Sequence, residues 1–243
     1  MIPRWCLVAL VLCGAGPRSG YEDAQTETRA MQDDDAANPG FLWVRDGEAS
    51  WSRVDGGAGK SCASCHGGVA SMRGVSARYP AFDPERDRIV TMEDRINFCR
   101  VDRMGAEAFA WDDDRLLGLS ALMGLQSRGL AMAVVPREPF FSEGAGLFRQ
   151  RIGQFNVSCG QCHDDLAGRK LAGSVIPQGQ PNGYPEYRLS WQGMGSLYRR
   201  VRNCMTGVRA EPFSAESRDY RSLAHYLGVR ATGLTVETPG VRP

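Results

Sequence analysis

The sequence predicts an all-α protein of two small lobes, on three observations. Two segments follow one plan: a helical stretch, a Ser-Cys-x-x-Cys-His motif, an irregular loop holding Gly and Pro, a further cysteine and a closing helix, so the chain contains an internal repeat. Apolar residues recur at helical spacing in both closing segments, with Leu116, Leu119 and Met123 in the first and Leu223, Ala224 and Leu227 in the second. Long runs with the two-residue alternation of strands are missing. A chain of 243 residues with 42% hydrophobic content has enough apolar side chain for two such cores.

In chain order, residues 1–20 open with Arg4, run through the apolar stretch Cys6 to Leu12, and relax into Gly14, Ala15 and Gly16. These are the three regions of a secretory signal peptide, and the apolar run is too short for the roughly 20 residues of a bilayer helix. We therefore expect an exported protein with no membrane span. Residues 21–40 are polar and acidic, with Asp33, Asp34 and Asp35, and read as a flexible leader. The first domain is expected at 41–133, a linker carrying Pro136 and Pro139 at 134–142, and the second domain at 143–243.

Charge is balanced, 29 basic against 28 acidic residues, which gives no field for gripping nucleic acid or an anionic membrane. Only Lys60 and Lys170 are lysines; the other cations are arginines. The chain holds three histidines and eight cysteines, and two of the histidines close a Cys-x-x-Cys pair: Cys62, Cys65 and His66, then Cys159, Cys162 and His163. In this motif both thiols add to the vinyl groups of haem and the following imidazole takes the iron. A chance match is expected roughly 0.003 times in such a chain, so two matches are not accidental. Zinc would want four converging donors, and each motif offers three that cannot easily converge on one ion. Two covalently bound c-type haems are expected, in two class I cytochrome c-like lobes whose thin cores a buried macrocycle would complete.

The residues leave the sixth iron ligands open. His225 lies on the last helix and reads as a core or surface histidine. Met92, Met104, Met194 and Met205 are available, and so are Cys99 and Cys204, which follow their motifs at similar distances. Matched placement suggests matched roles, while a Cys99 to Cys204 disulfide is the competing reading in an oxidising compartment. Around Cys204 stand Arg199, Arg200, Arg202 and Arg209. Guanidinium groups beside a thiolate suit an oxyanion, a sulfur oxyanion among them; the plainer alternative is a solvated helix face.

The string from Gly153 to Asp164 (GQFNVSCGQCHD), the segment Gln178 to Pro185 (QGQPNGYP) and Tyr187-Arg188-Leu189 resemble the SoxA family, the dihaem cytochrome subunit of SoxAX complexes. So do Gly195 to Arg200 (GSLYRR) leading to Cys204, Val208 to Pro212, Glu237 to Arg242, and, more sparsely, Asn38 to Trp43 and Gly59 to Cys62. The resemblance implies a periplasmic L-cysteine S-thiosulfotransferase, which joins thiosulfate oxidatively to a cysteine of the SoxY subunit of the SoxYZ carrier and passes two electrons through haem to the monohaem cytochrome SoxX. It further implies that Cys62, Cys65, Cys159 and Cys162 attach haem, that His66 and Cys99 hold the first iron, and that His163 and Cys204 hold the second. Cys204 would be the catalytic residue, found as a persulfide in the family, with Arg200 binding substrate and Arg230 a further candidate. A dihaem electron carrier without substrate and a thiosulfate dehydrogenase forming tetrathionate are the rival readings.

Overall fold

The computed structural model describes residues 16–243; the apolar run of the expected export signal, with Cys6 and Cys13, lies outside the described residues. The stretch expected to be a flexible leader is folded. Helix α1 (Thr26–Asp33) buries Thr28 and Gln32, and the Gln32 side chain accepts from the Val241 amide at 2.9 Å and from Arg242 Nη1 at 2.5 Å. Ser19 is buried too and hydrogen-bonds Glu237 and, at 3.3 Å, Asn182. Composition missed this because the segment is held by satisfied polar groups and contributes little apolar surface.

The first lobe is built on helix α2 (Gly40–Ser52), the motif helix α3 (Cys62–His66), the hairpin β1 (Ala81–Asp83) and β2 (Arg88–Val90), α4 (Met92–Phe98) and α5 (Asp114–Leu125). The second uses α6 (Phe140–Arg149), the motif turn, the hairpin β3 (Lys170–Leu171) and β4 (Ser174–Val175), the strands β5 (Glu186–Arg188) and β6 (Gly193–Gly195), α7 (Leu197–Gly207), α8 (Arg218–Arg230) and β7 (Gly240–Arg242). Both expected apolar faces are buried: Leu116, Leu119 and Met123 on α5, Leu223, Ala224 and Leu227 on α8. Each lobe crosses its first and last helices at a glycine. A Cβ on Gly47 of α2 would lie 2.3 Å from the Gly118 carbonyl of α5, and one on Gly144 of α6 would lie 2.1 Å from the Ser222 carbonyl of α8. These glycines are as far apart in sequence as the two motifs, so the repeat extends to the helix crossings.

The all-α expectation is corrected. Short strands accompany the helices: among the described residues there are two two-stranded sheets and one three-stranded sheet in the order β6-β5-β7, with β5 antiparallel to β6 and parallel to β7. At two or three residues each they are too brief to show an alternating pattern. Within the expected linker, Val134 is core and α6 starts at Phe140, with Pro139 at its N-cap, where a missing amide costs nothing.

The lobes are joined by buried polar contacts. Arg221 of α8 forks onto Asp94 of α4, Nε to Oδ2 at 3.1 Å and Nη2 to Oδ1 at 2.7 Å, with both side chains nearly solvent-free. The C-terminal strand returns across the first lobe, where Asn38 Nδ2 donates to the Pro239 carbonyl at 2.9 Å. Tyr187, on the face of β5 turned toward the first lobe, places its ring 6.0 Å from that of Trp43.

Candidate functional site

Both motifs begin as capped helical turns. Ser61 accepts from the Ser64 amide while the Ser64 side chain accepts from the Ser61 amide, and Ser158 and Gln161 repeat the exchange at 3.1 and 2.9 Å. The serine before each Cys-x-x-Cys-His thus sets the first turn, which spaces the two thiols and projects the histidine.

A tight loop before each motif brings in the additional cysteine. In the first lobe, the amides of Gly57 and Ala58 donate to the carbonyls of Gly105 and Met104, which lie just beyond Cys99. In the second, the amides of Gln154 and Phe155 donate to Arg209 and Val208, just beyond Cys204. Cys99 opens a π-helical turn (Cys99–Met104) after α4, and Cys204 sits on α7. Each late cysteine is therefore delivered to its own motif by backbone bonds. All six cysteines among the described residues are free, so no Cys99 to Cys204 disulfide forms. Met92, Met104, Met194 and Met205 are packed in cores.

The two sites differ in electrostatics. Burial pushes the Cys99 thiol up, with Arg95 and Arg103 opposing too weakly to reverse it. Burial also works to raise Cys204, yet this thiol is held below the usual range by the His163 ring within hydrogen-bond reach, the Arg200 guanidinium, the His163 charge and Arg188. Cys159 beside it is pushed up to about 11, by burial and then by Cys204. Among the described residues Arg200 makes no side-chain hydrogen bond and no ion pair; burial works against its charge, outweighed by Cys204, Tyr184 and Glu186. The helical repeat places Arg200 and Cys204 one turn apart on the same face of α7. A half-buried cation with unused donors next to an acidified thiol is a site for an anion.

His163 is oriented from behind. Its Nδ1 donates to the Pro177 carbonyl at 2.7 Å, which leaves Nε2 as the ring atom able to meet the Cys204 thiol or a metal. Gly179, in the left-handed region at φ 72°, lets the loop pass the ring; a Cβ there would lie 3.2 Å from His163 Cγ and Nδ1.

A family model described as SoxA/TsdA, cytochrome c domain, matches residues 46–132 and 143–236. The chain is 40% identical over 229 residues to L-cysteine S-thiosulfotransferase subunit SoxA of Pseudaminobacter salicylatoxidans, covering 92% of this chain and 80% of that protein. With the same subunit of Paracoccus pantotrophus the identity is 38% over 227 residues, covering 92% and 78%. The chain belongs to the SoxA family. A crystal structure of SoxXA from P. pantotrophus superposes with a TM-score of 0.90 at 37% identity, covering 93% of this chain and 87% of that one.

Membership in a cytochrome c family brings covalent haem, and the donors in this SoxA-family chain fit it. Two thiols lie in one helical turn, an imidazole follows them, and in the second lobe a thiol faces that imidazole. No three His, Cys, Asp or Glu side chains among the described residues converge as a closed metal cage would require. Arg230 pairs with Asp164, next to His163, at 2.7 Å, reaches the Gln178 carbonyl at 3.5 Å and stacks on Phe148. His225 is a core histidine whose Nε2 accepts from the Arg137 amide at 3.0 Å, and burial lowers its pKa. Sequence reasoning did not find that Tyr184 and Glu186 lie near enough to Arg200 to favour its charge. No helix among the described residues is long and apolar enough to cross a membrane.

Proposed function

We propose that this chain conjugates thiosulfate oxidatively to a cysteine thiol of a SoxYZ-type carrier, with a SoxX-type monohaem cytochrome as electron acceptor. The observation that carries this reading is the Cys204 site, an acidified thiol facing His163 with the unengaged Arg200 one turn away. The names of the curated relatives and the SoxXA structure support it. The assignment has two haems, one on Cys62 and Cys65 with His66 and Cys99 as iron ligands, the other on Cys159 and Cys162 with His163 and Cys204. It has domains at 41–133 and 143–243, and export to the periplasm by the N-terminal signal.

Haem supplies an electron acceptor at the site. Arg200 docks the sulfonate end of thiosulfate and turns its outer sulfur toward Cys204. The Cys204 thiolate and the thiosulfate dianion form one S–S bond and give up two electrons, which pass to the partner cytochrome. The carrier thiolate then attacks the outer sulfur, takes the thiosulfonate group and returns the Cys204 thiolate. The family's Cys204 persulfide keeps the residue at a reversible level of sulfur oxidation.

Cys204→Ala tests the reading. The variant should keep its covalent haem by intact mass and lose thiosulfate transfer to the carrier thiol; retained transfer would refute the role. An intact mass of the unaltered protein with one haem rather than two would overturn the two-haem assignment. Tetrathionate release without carrier would replace the transferase with a dehydrogenase.

A further inference from the structure

We infer that residues 18 and 19 stay on the chain after export and form a strap that positions His163, by holding the loop 176–182 behind its ring. The inference rests on the haem assignment of His163 and on export by an N-terminal signal, and it places the end of that signal ahead of Arg18.

The loop meets His163 twice. The Pro177 carbonyl accepts from Nδ1 at 2.7 Å, and Gly179 passes so close that a Cβ there would lie 3.2 Å from the ring. Residues 176–181 form no helix or strand, so their order has to come from partners elsewhere in the chain.

Residues 18 and 19 supply such partners. The Arg18 amide donates at 2.7 Å to Oε1 of Gln178, the residue between Pro177 and Gly179. Gln180 Nε2 reaches the same oxygen at 3.4 Å. At the far end of the loop, Asn182 Nδ2 donates to Ser19 Oγ at 3.3 Å, and the Ser19 hydroxyl donates to Glu237. Ser19 is 5% exposed, so this hydroxyl is exchanged with protein rather than with water. The strap is fixed in turn, because Arg18 Nη2 pairs with Asp23 at 2.5 Å and the Ser19 amide donates to Glu22 Oε1 at 3.1 Å. Two adjacent residues thus clamp the loop at 178 and 182, on either side of Gly179. The bond that orients the imidazole and the bond to the strap lie on neighbouring residues, so a loop released from Arg18 carries the Pro177 carbonyl with it.

The expected signal covers residues 1–20, and a cut at its end would discard both residues. Gln178 Oε1 would keep only Gln180, and Asn182 Nδ2 only the Thr235 carbonyl at 2.8 Å. The small residues Gly14, Ala15 and Gly16 offer a cleavage site ahead of the strap.

The test uses the exported, haem-loaded protein. Intact mass should show a first residue no later than Arg18; a first residue beyond Arg18 overturns the inference. Gln178→Ala and Ser19→Ala should each speed hydrogen exchange in the peptide 168–182 about fivefold or more, read on the amides of Gly168 and Ile176 that bond across the base of the loop. Both should also shift the electron paramagnetic resonance signal of the haem that His163 would hold. Gln178→Glu keeps an acceptor for the Arg18 amide and should retain the unaltered exchange rate and signal. A segment that only packs would lower Tm in the alanine variants with loop exchange and signal unchanged, and that result overturns the strap. A protein still starting at Met1 removes the export reading, and one without haem on Cys159 and Cys162 removes the haem assignment; in either case the loop exchange rates still decide whether residues 18 and 19 hold the loop.

Discussion

Replacing Arg221 by Met should cost this protein much of its stability, because of where its partner lies. Arg221 and Asp94 have side chains 3% and 6% exposed, and the pair spans the two lobes. Without Arg221, Asp94 keeps only the Thr91 amide, at 2.9 Å, and the carboxylate charge is stranded in the interior. Breaking a buried pair from one side costs about 3 to 5 kcal/mol. For a chain of 243 residues each kcal/mol moves Tm by about 2 to 4 °C, so Arg221→Met should lower Tm by roughly 6 to 20 °C. The double variant Arg221→Met with Asp94→Leu removes both charges and should recover most of that loss, short of about 1 kcal/mol for the α4 cap that Asp94 completes with Thr91. Thermal melts of the haem-loaded protein followed by circular dichroism, arranged as a double-mutant cycle, read the coupling directly. A drop of less than about 2 °C for the single variant would mean that water reaches the pair, and a double variant no better than the single would mean that packing rather than charge was lost.

Two other substitutions probe the site from opposite sides. Arg200→Ala strands no protein carboxylate, so it should leave Tm within a few degrees and raise the half-saturating thiosulfate concentration about tenfold or more; an unchanged thiosulfate dependence would remove Arg200 from the site. Gly179→Ala forces a left-handed residue, at about 1 to 2 kcal/mol, and pushes a methyl toward His163. It should therefore alter the electron paramagnetic resonance signal of the haem that His163 would hold, and an unaltered signal would show that the loop does not bear on the imidazole.

The sequence alone determined what is local. Each Ser-Cys-x-x-Cys-His turn, with its serine cap, lies within six residues, and that spacing suffices to read covalent haem attachment, as the repeated plan and the apolar periodicity suffice to read two helical lobes. The same local logic misjudged the stretch 21–40 and the short strands, because Gln32 and Ser19 are ordered by partners more than 200 residues away and three-residue strands carry no detectable period. Only the tertiary structure decided which distant groups meet. The loops at 57–58 and 154–155 tie each late cysteine to its own motif, Asp164 pairs with Arg230, and Arg221 reaches Asp94 across the two lobes. Backbone hydrogen bonds and buried ion pairs between remote segments make those choices, and they depend on the folded chain excluding water, which no stretch of sequence does by itself.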